Sequence, residues 1–364
     1  MNKETLLDAV KHGIPVRGED LTGLDLTGAW LAGGLFEHVR FPEKLRGALF
    51  KESSVVSCDF TGCDVRETDW HLTTVFRTKL DAAQFGRASL IATNFVESSA
   101  NTANFDEAHA PLANWIKTPL IEASFLKANL DRTSFVEIDA SGTKFGGANL
   151  EKSTLFKADL RTAELDGANL TLTTLVEAKL GAKRFQTMKL FRTQFMKADL
   201  VGADFSGVDC SQCNFLGAEL EGASFEGAIA VQAFFGEIKA PKTRFNKAVL
   251  KQAVFERAAL PQTLFVAAEL EESYLGYAQA PGARFNGANL KHADFSHADV
   301  TGADFADATL FRAKFHLAKK DNANLPTMAG WLGDEDVLKR AETWQPKHGA
   351  AERPAPKEQS DHER

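Results

Sequence analysis

Cysteine is scarce in this chain, which has four in 364 residues. So few cysteines argue against a secreted fold held together by disulfides. No apolar run approaches the roughly 18 residues that a membrane span needs, so we expect no membrane association. The segment 1–18 lacks the apolar core and small-residue cleavage site of a secretory signal. These absences predict a cytoplasmic protein.

The chain also has only a small excess of charge of either sign. The net charge is −7, and eight acidic and six basic residues follow Gly333, so the rest of the chain carries −5. The basic excess of a nucleic-acid-binding protein is missing, and we expect no direct nucleic-acid binding. A net charge of −5 over residues 1–333 is also small for a protein that imitates the phosphate charge of DNA.

Tyrosine is nearly absent, at 2 residues, whereas phenylalanine reaches 28. Most phenylalanines obey a five-residue period. From Phe50 to Leu325 nearly every fifth residue, here called the central position, is large and apolar. The residue two places earlier, the small position, is usually alanine. An earlier block, 21–41, keeps the same period, and the frame slips by one residue around Pro42.

A five-residue period fits neither an α-helix nor a flat β-strand. It fits a coil in which each group of five supplies one short extended side and one turn, stacked as a solenoid. Central positions ending in 5 are mostly Phe and those ending in 0 mostly Leu or Ala, which favours four sides per coil.

Segments such as "ADL" at 158–160, "ANL" at 288–290 and "ADF" at 303–305 match the A-(D/N)-L-x-x motif. In these motifs the chain resembles the pentapeptide repeat family, over residues 19 to about 326. The resemblance implies an all-β fold, a right-handed quadrilateral β-helix with short helical caps.

The ends of the chain predict covers for the solenoid. We expect an N-terminal helical cap at 1–18, with Asn2 as its N-cap. The solenoid then occupies 19–326, a C-terminal helical cap 327–345 and a disordered tail 346–364. The residues expected to plug the last coil are Trp331, Leu332, Val337, Leu338 and Trp344.

The cysteines raise the question of a metal or redox site, because Cys210 and Cys213 have the C-x-x-C spacing. In the five-residue frame, however, Cys210 is central and Cys213 occupies a small position, and Cys58 and Cys63 occupy small positions too. We therefore interpret all four as core residues.

The histidines predict no site either. Five of the nine fall on outward positions of a convex prism, His71, His109, His292, His297 and His316, and the rest lie near the ends of the chain. No phosphate-binding loop, nucleophile elbow or metal-spaced histidine pair occurs. We expect no catalytic residues, no metal, no cofactor and no small-molecule substrate.

Two departures from the repeat remain. Lys183 occupies a small position, where we expect a local bulge or a side chain that reaches toward solvent. Pro241, Pro261 and Pro281 follow central positions on one face, and because proline cannot donate a hydrogen bond we expect lost pairing there.

One outward pattern is not required by the fold. On a single face the residue after the central position is apolar in eight successive coils, whereas the other faces have at most three of eight. These residues are Phe76, Val96, Ile116, Val136, Phe156, Val176, Met196 and Leu216. The next residue alternates in charge: Arg77, Glu97, Lys117, Glu137, Lys157, Glu177 and Lys197. Exposed β-branched and aromatic residues also suit a strand, but that does not explain their restriction to one face.

The sequence therefore predicts a non-enzymatic interaction scaffold that binds another protein, or a second copy of itself, through this stripe. The opening "LTGLDLTGAWL" is similar to accessory proteins encoded with bacterial type VI secretion effectors, which implies an adaptor or chaperone role. The alternative is a DNA-mimicking relative that binds DNA gyrase or topoisomerase.

Overall fold

A computed structural model describes residues 1–326 and 330–344. The two helices of these residues are α1, Lys3–Lys11, and α2, Asp336–Glu342. Their eight strands are β1 Val16–Arg17, β2 Leu35–Glu37, β3 Ser54–Val56, β4 Thr74–Phe76, β5 Asn94–Val96, β6 Asn114–Ile116, β7 Ser134–Val136 and β8 Thr154–Phe156.

The strands form one parallel sheet in sequence order, because each strand lies one coil after the previous one. From β3 onward each residue pairs with the one four pentapeptides later, as Val55 does with Val75. Isolated bridges repeat this spacing on the other three sides, for example Asp59 with Lys79, Asp64 with Gln84 and Asp69 with Ser89. Coils made of four pentapeptide sides confirm the predicted β-solenoid.

The predicted frame slip is confirmed at Pro42. Asp20 pairs with Arg40, four full pentapeptides later, whereas Asp25 pairs with Lys44 and not with Leu45. One residue is therefore missing from the side that contains Pro42, and every later pairing inherits the shifted frame.

The core is a continuous column of central and small residues. Phenylalanine rings of successive coils stack in parallel, for example Phe225 on Phe205 at 4.6 Å and on Phe245 at 4.8 Å between centroids. Each fully buried side chain of this size contributes about 1.5–3 kcal/mol before the loss of chain entropy. Threonines in small positions donate their hydroxyls to carbonyls of the previous coil, as Thr243 does to Leu220 at 2.7 Å.

The prediction of lost pairing at the prolines is wrong. Lys239 pairs with Ala259 and Ala259 with Gln279 across the proline-bearing face. In the regular coils the N–H after a central position does not enter the coil-to-coil ladder; that of Ile121, for example, donates to the Asn101 side chain. Proline there loses no ladder bond, and the Pro261 carbonyl still accepts from the Lys242 N–H at 3.1 Å.

Helix α1 begins after Asn2, whose side chain accepts the Thr5 N–H, and it buries Leu6, Ala9 and Val10. The chain then turns at Gly13, which has a φ of 65°. No helix of the described residues is long and apolar enough to cross a membrane.

At the C-terminal end of the solenoid, the prediction that five apolar residues plug the last coil is mostly wrong. Trp331 packs its ring against Phe315 at 5.6 Å. Helix α2, in contrast, buries none of its residues, and the remaining predicted plug residues are exposed: Leu332, Val337, Leu338 and Trp344. The reason is that backbone pairing of Leu332 with Lys314 closes the last coil before α2 starts. The predicted tail, 346–364, lies outside the described residues.

Candidate interaction surface

The outward apolar residues of the sheet form a straight column, which we call the apolar column. Parallel register places Val56 beside Phe76, Phe76 beside Val96, and so on to Phe156. Bridges from Thr154 through Thr174 and Gln194 to Asn214 continue the same face. Its members are Val56, Phe76, Val96, Ile116, Val136, Phe156, Val176, Met196 and Leu216, and each is half-buried.

The structure adds Val56 to the eight residues expected from the sequence. The same count of five places Val56 there, directly after the central Val55, so the signal was present in the sequence. The half-burial arises because each side chain is flanked by its neighbours one coil away. The outer surface of the column remains open to solvent in the described chain, and eight coil steps make it about 38 Å long.

The charged residues form a second column beside the first, which we call the charged column: Arg77, Glu97, Lys117, Glu137, Lys157, Glu177 and Lys197. Within the chain, Arg77 pairs with Glu97 at 2.9 Å, and two wider pairs join Lys117 to Glu137 at 3.9 Å and Lys157 to Glu177 at 3.8 Å. The side chains of these pairs are 42–61% exposed, so each pair contributes about 0–1 kcal/mol to stability.

Neutral polar residues border the other side of the apolar column, and we call them the polar column: Thr74, Asn94, Asn114, Ser134, Thr154, Thr174, Gln194 and Asn214. Within this column Asn114 donates to Asn94 of the neighbouring coil at 2.7 Å. The face therefore presents three parallel columns of different chemistry.

Apolar surface recurs on this face beyond Leu216, on either side of Glu256, by a route that the residue count did not show. Phe234 and Tyr274 lie in line with the polar column, and their rings cover Gly236 and Gly276. A Cβ on Gly236 would lie 2.6 Å from the Phe234 ring, so glycine is required where the ring crosses the face. The sequence signal is an aromatic residue two places before a glycine.

Lys183 disturbs one coil, as predicted. Its ammonium donates to the carbonyl of Ala163, and to that of Arg161 at 3.2 Å. In the described chain no bridge joins Glu164 to Arg184, although bridges lie on either side of the gap. A cleft of about 440 Å³ opens between the two coils. Burial lowers the pKa of Lys183, and Asp166 and Glu164 partly oppose that shift.

The four cysteines are core residues, as predicted. Cys210 and Cys213 are fully buried, and all four are free thiols. Burial raises the pKa of Cys213 to about 12, and that of Cys63 to about 12. Thiols that stay protonated at neutral pH are poor metal ligands and poor nucleophiles.

One predicted outward histidine, His316, is instead buried, at 3% exposure. Helix α2 lies over it, and the Glu342 carboxylate is 3.3 Å from Nε2 of both His316 and His297. This spacing is also found between zinc ligands, but Nδ1 of His316 accepts the Glu335 N–H at 3.0 Å. A neutral His316 ring whose Nδ1 accepts this bond carries its proton on Nε2, facing Glu342, and these contacts tie α2 to the last coils.

The family model described as pentapeptide repeats matches eight copies, in residues 133–171, 193–229, 268–307 and 288–325. No protein of curated function matches the sequence.

Solved structures of pentapeptide repeat proteins are similar to this chain. HetL, involved in heterocyst differentiation regulation in the cyanobacterium Nostoc sp. strain PCC 7120, is 20% identical over 86% of this chain and 96% of its own, with a TM-score of 0.18. A trypsin-treated form of QnrB1, a plasmid-mediated fluoroquinolone resistance protein, is 13% identical over 79% and 95%, with a TM-score of 0.23. A protein of the Arabidopsis thaliana thylakoid lumen is 22% identical over 36% and 72%, with a TM-score of 0.19.

The eight matched copies fall on the same five-residue frame that the bridges trace through the coils, and over these residues the chain consists of pentapeptide repeats.

Proposed function

We propose that this protein is a non-catalytic scaffold that binds a protein partner through the apolar column. The observation that carries the proposal is the alignment of nine apolar side chains on one face of the solenoid. Contiguous apolar surface of this kind tends to mark an interaction site on a protein surface. The flanking polar and charged columns resemble the polar rim that surrounds the apolar centre of many interfaces.

The non-catalytic part of the proposal has separate support. The cysteines are buried with raised pKa values, and the one three-residue cluster of metal-ligand types among the described residues is used to hold α2. The outward side chains of a convex prism do not converge on a common point, which catalysis requires.

The similarity of the opening segment to accessory proteins of type VI secretion makes a secreted effector the partner class that we propose first. The competing DNA-mimic hypothesis requires a continuously acidic surface that takes the place of phosphates. The charged column instead places Arg77, Lys117, Lys157 and Lys197 between acidic residues, which favours a protein partner over this role.

The test is capture of partners by purified protein from a lysate of the native host. The double variant Val136→Asp/Phe156→Asp puts two charges into the middle of the apolar column. The matched control, Ile121→Asp/Leu126→Asp, makes the same changes at exposed apolar residues of other faces. Circular dichroism and thermal unfolding establish that all three proteins fold.

We expect the wild type and the control to retain the same specific proteins and the column variant to lose them. Equal capture by all three proteins would show that the apolar column is not the binding surface. The DNA-mimic hypothesis has its own readout, because inhibition or protection of DNA gyrase in a supercoiling assay at micromolar protein would support it.

A further inference from the structure

The charged column is self-complementary in a way that a chance run of charges is not. Its sign reverses at every coil from Arg77 to Lys197. In an antiparallel pair, a second copy lies on this face with its solenoid axis reversed, so that N-terminal coils of one copy face C-terminal coils of the other. If the two-fold axis passes between two coils, each charge that has a counterpart meets an opposite charge; if it passes through a coil, each meets a like charge. With the axis next to the central coil, six of the seven charges in each copy are paired in this way.

The order of the three columns also selects the antiparallel arrangement. A two-fold axis in the plane of the interface and perpendicular to the solenoid places each column on its own counterpart in the other copy. The apolar column then faces the apolar column, and Asn and Thr side chains of the polar column, which both donate and accept, face one another. A parallel pair, centred on the apolar column, would instead place the charged column against the polar column and leave its charges without opposite partners in the other copy.

The size of the face is sufficient for such a pair. It is about 38 Å long and about three strand residues, or 10 Å, wide. Together with the charged column, two copies bury on the order of 1,000 Å² in total, the lower limit for a specific interface.

We propose that the apolar column is the interface of an antiparallel homodimer whose two-fold axis lies between coils near Val136. With the axis between the coils of Ile116 and Val136, Lys117 meets Glu137 of the second copy and Arg77 meets Glu177. The proposal rests on the proposed function, which makes the apolar column a contact surface, and it names a second copy of this chain, in place of a secreted effector, as the occupant of that surface.

The test uses the purified full chain and charge reversal in the charged column. An acidic variant, Lys117→Glu/Lys157→Glu, gives five successive negative charges. A basic variant, Glu97→Lys/Glu137→Lys, gives five successive positive charges. A matched control, Lys127→Glu/Lys152→Glu, reverses two exposed lysines on other faces. Sedimentation equilibrium from about 1 to 200 μM measures association, a range suited to an interface of this size.

We expect the wild type and the control to dimerise, and each column variant alone to dimerise at least about tenfold more weakly, a change of about 1.4 kcal/mol by the conversion at 25 °C. An equimolar mixture of the acidic and basic variants should restore the dimer, because negative charges then face positive charges. A wild type that remains monomeric at about 200 μM overturns the proposal.

An acidic variant that dimerises as well as the wild type also overturns it, because the charged columns then do not face each other. Circular dichroism verifies folding of each variant, and recovery of the dimer in the mixture could not come from misfolded protein. A monomeric wild type that still captures a lysate partner refutes only the homodimer and leaves the proposed function standing.

Discussion

The coil that contains Lys183 and the regular coils that follow it differ in the residue at the small position and in the hydrogen bond that the previous coil accepts there. In the regular coils Ala203 and Ala223 fill the small position, and the Ser224 N–H reaches the Ala203 carbonyl at 2.8 Å. In the disturbed coil the equivalent carbonyl, that of Ala163, accepts the Lys183 ammonium.

The disturbance is confined to two sides of the solenoid, because in the described chain the next side also lacks one bridge, between Lys189 and Asp209. On the three other faces the bridges Asn169 with Lys189, Thr174 with Gln194 and Lys179 with Asp199 remain. Each coil is held to its neighbours by four separate ladders, so one side can open without loss of the coil. Local tolerance of this kind is expected of a fold whose stability is a sum of nearest-neighbour contacts.

The largest effect should come from moving the lysine into a regular coil. Ala223→Lys places an ammonium at the small position two coils after Lys183, on the same face. The Ala203 carbonyl that it would need already accepts the Ser224 N–H. We expect a loss of about 4–5 kcal/mol, measured by urea unfolding, because the charge is buried without partners. Ala223→Ser, which adds a small neutral group, is the control, and an equal loss in both variants would contradict the explanation by charge.

The aromatic rings of the core also differ between the disturbed coil and the regular coils. Phe225 stacks on rings in both neighbouring coils, at 4.6 and 4.8 Å, whereas Phe185 stacks on Phe205 at 4.2 Å and has Leu165 in the previous coil. We expect Phe225→Ala to cost about 4 kcal/mol and Phe185→Ala about 3 kcal/mol. The open cleft beside Phe185 lets the surroundings collapse into the cavity. Urea unfolding measures both, and a larger loss at Phe185 would show that the disturbed coil is not the looser one.

The sequence predicted the fold and the direction of nearly every side chain because position within the pentapeptide decides both. Cys213 looked like half of a metal site and is buried in the core, and Lys183 was recognised as a misfit. The contact function of the apolar column, in contrast, stays a prediction, since a single chain contains no partner.

The errors came from features that depend on atoms outside the five-residue frame. The effect of Pro261 depends on which N–H groups enter the ladder, and a residue count does not show this. The burial of His316 depends on α2, which begins only at Asp336 and is not part of the repeat. The crossing of Phe234 over Gly236 depends on side-chain direction across the strand, which is invisible in the count of apolar residues per column.

The smallest of the three stability effects should come from repairing the disturbed coil. Lys183→Ala restores the usual residue and frees the Ala163 carbonyl for the N–H of Arg184. The variant loses the two bonds of the ammonium but no longer buries a charge, and we expect a gain of about 1 kcal/mol at pH 7. Hydrogen exchange should show new protection at Arg184, and its absence would mean that the gap has another cause.

The stability difference between Lys183→Ala and the wild type should depend on pH, because burial lowers the pKa of Lys183 below the ordinary value of 10.5. Below the folded-state pKa the lysine is charged in both states, and the folded protein bears the cost of burying the charge. As pH rises from the folded-state pKa toward 10.5, the unfolded chain holds more protons, so the wild type gains stability relative to the variant. The advantage of Lys183→Ala should therefore shrink between pH 7 and 10.5 in urea unfolding, while Lys127→Ala controls for the loss of one exposed charge. An advantage that grows with pH would mean that the carbonyl bonds, and not desolvation, dominate at Lys183.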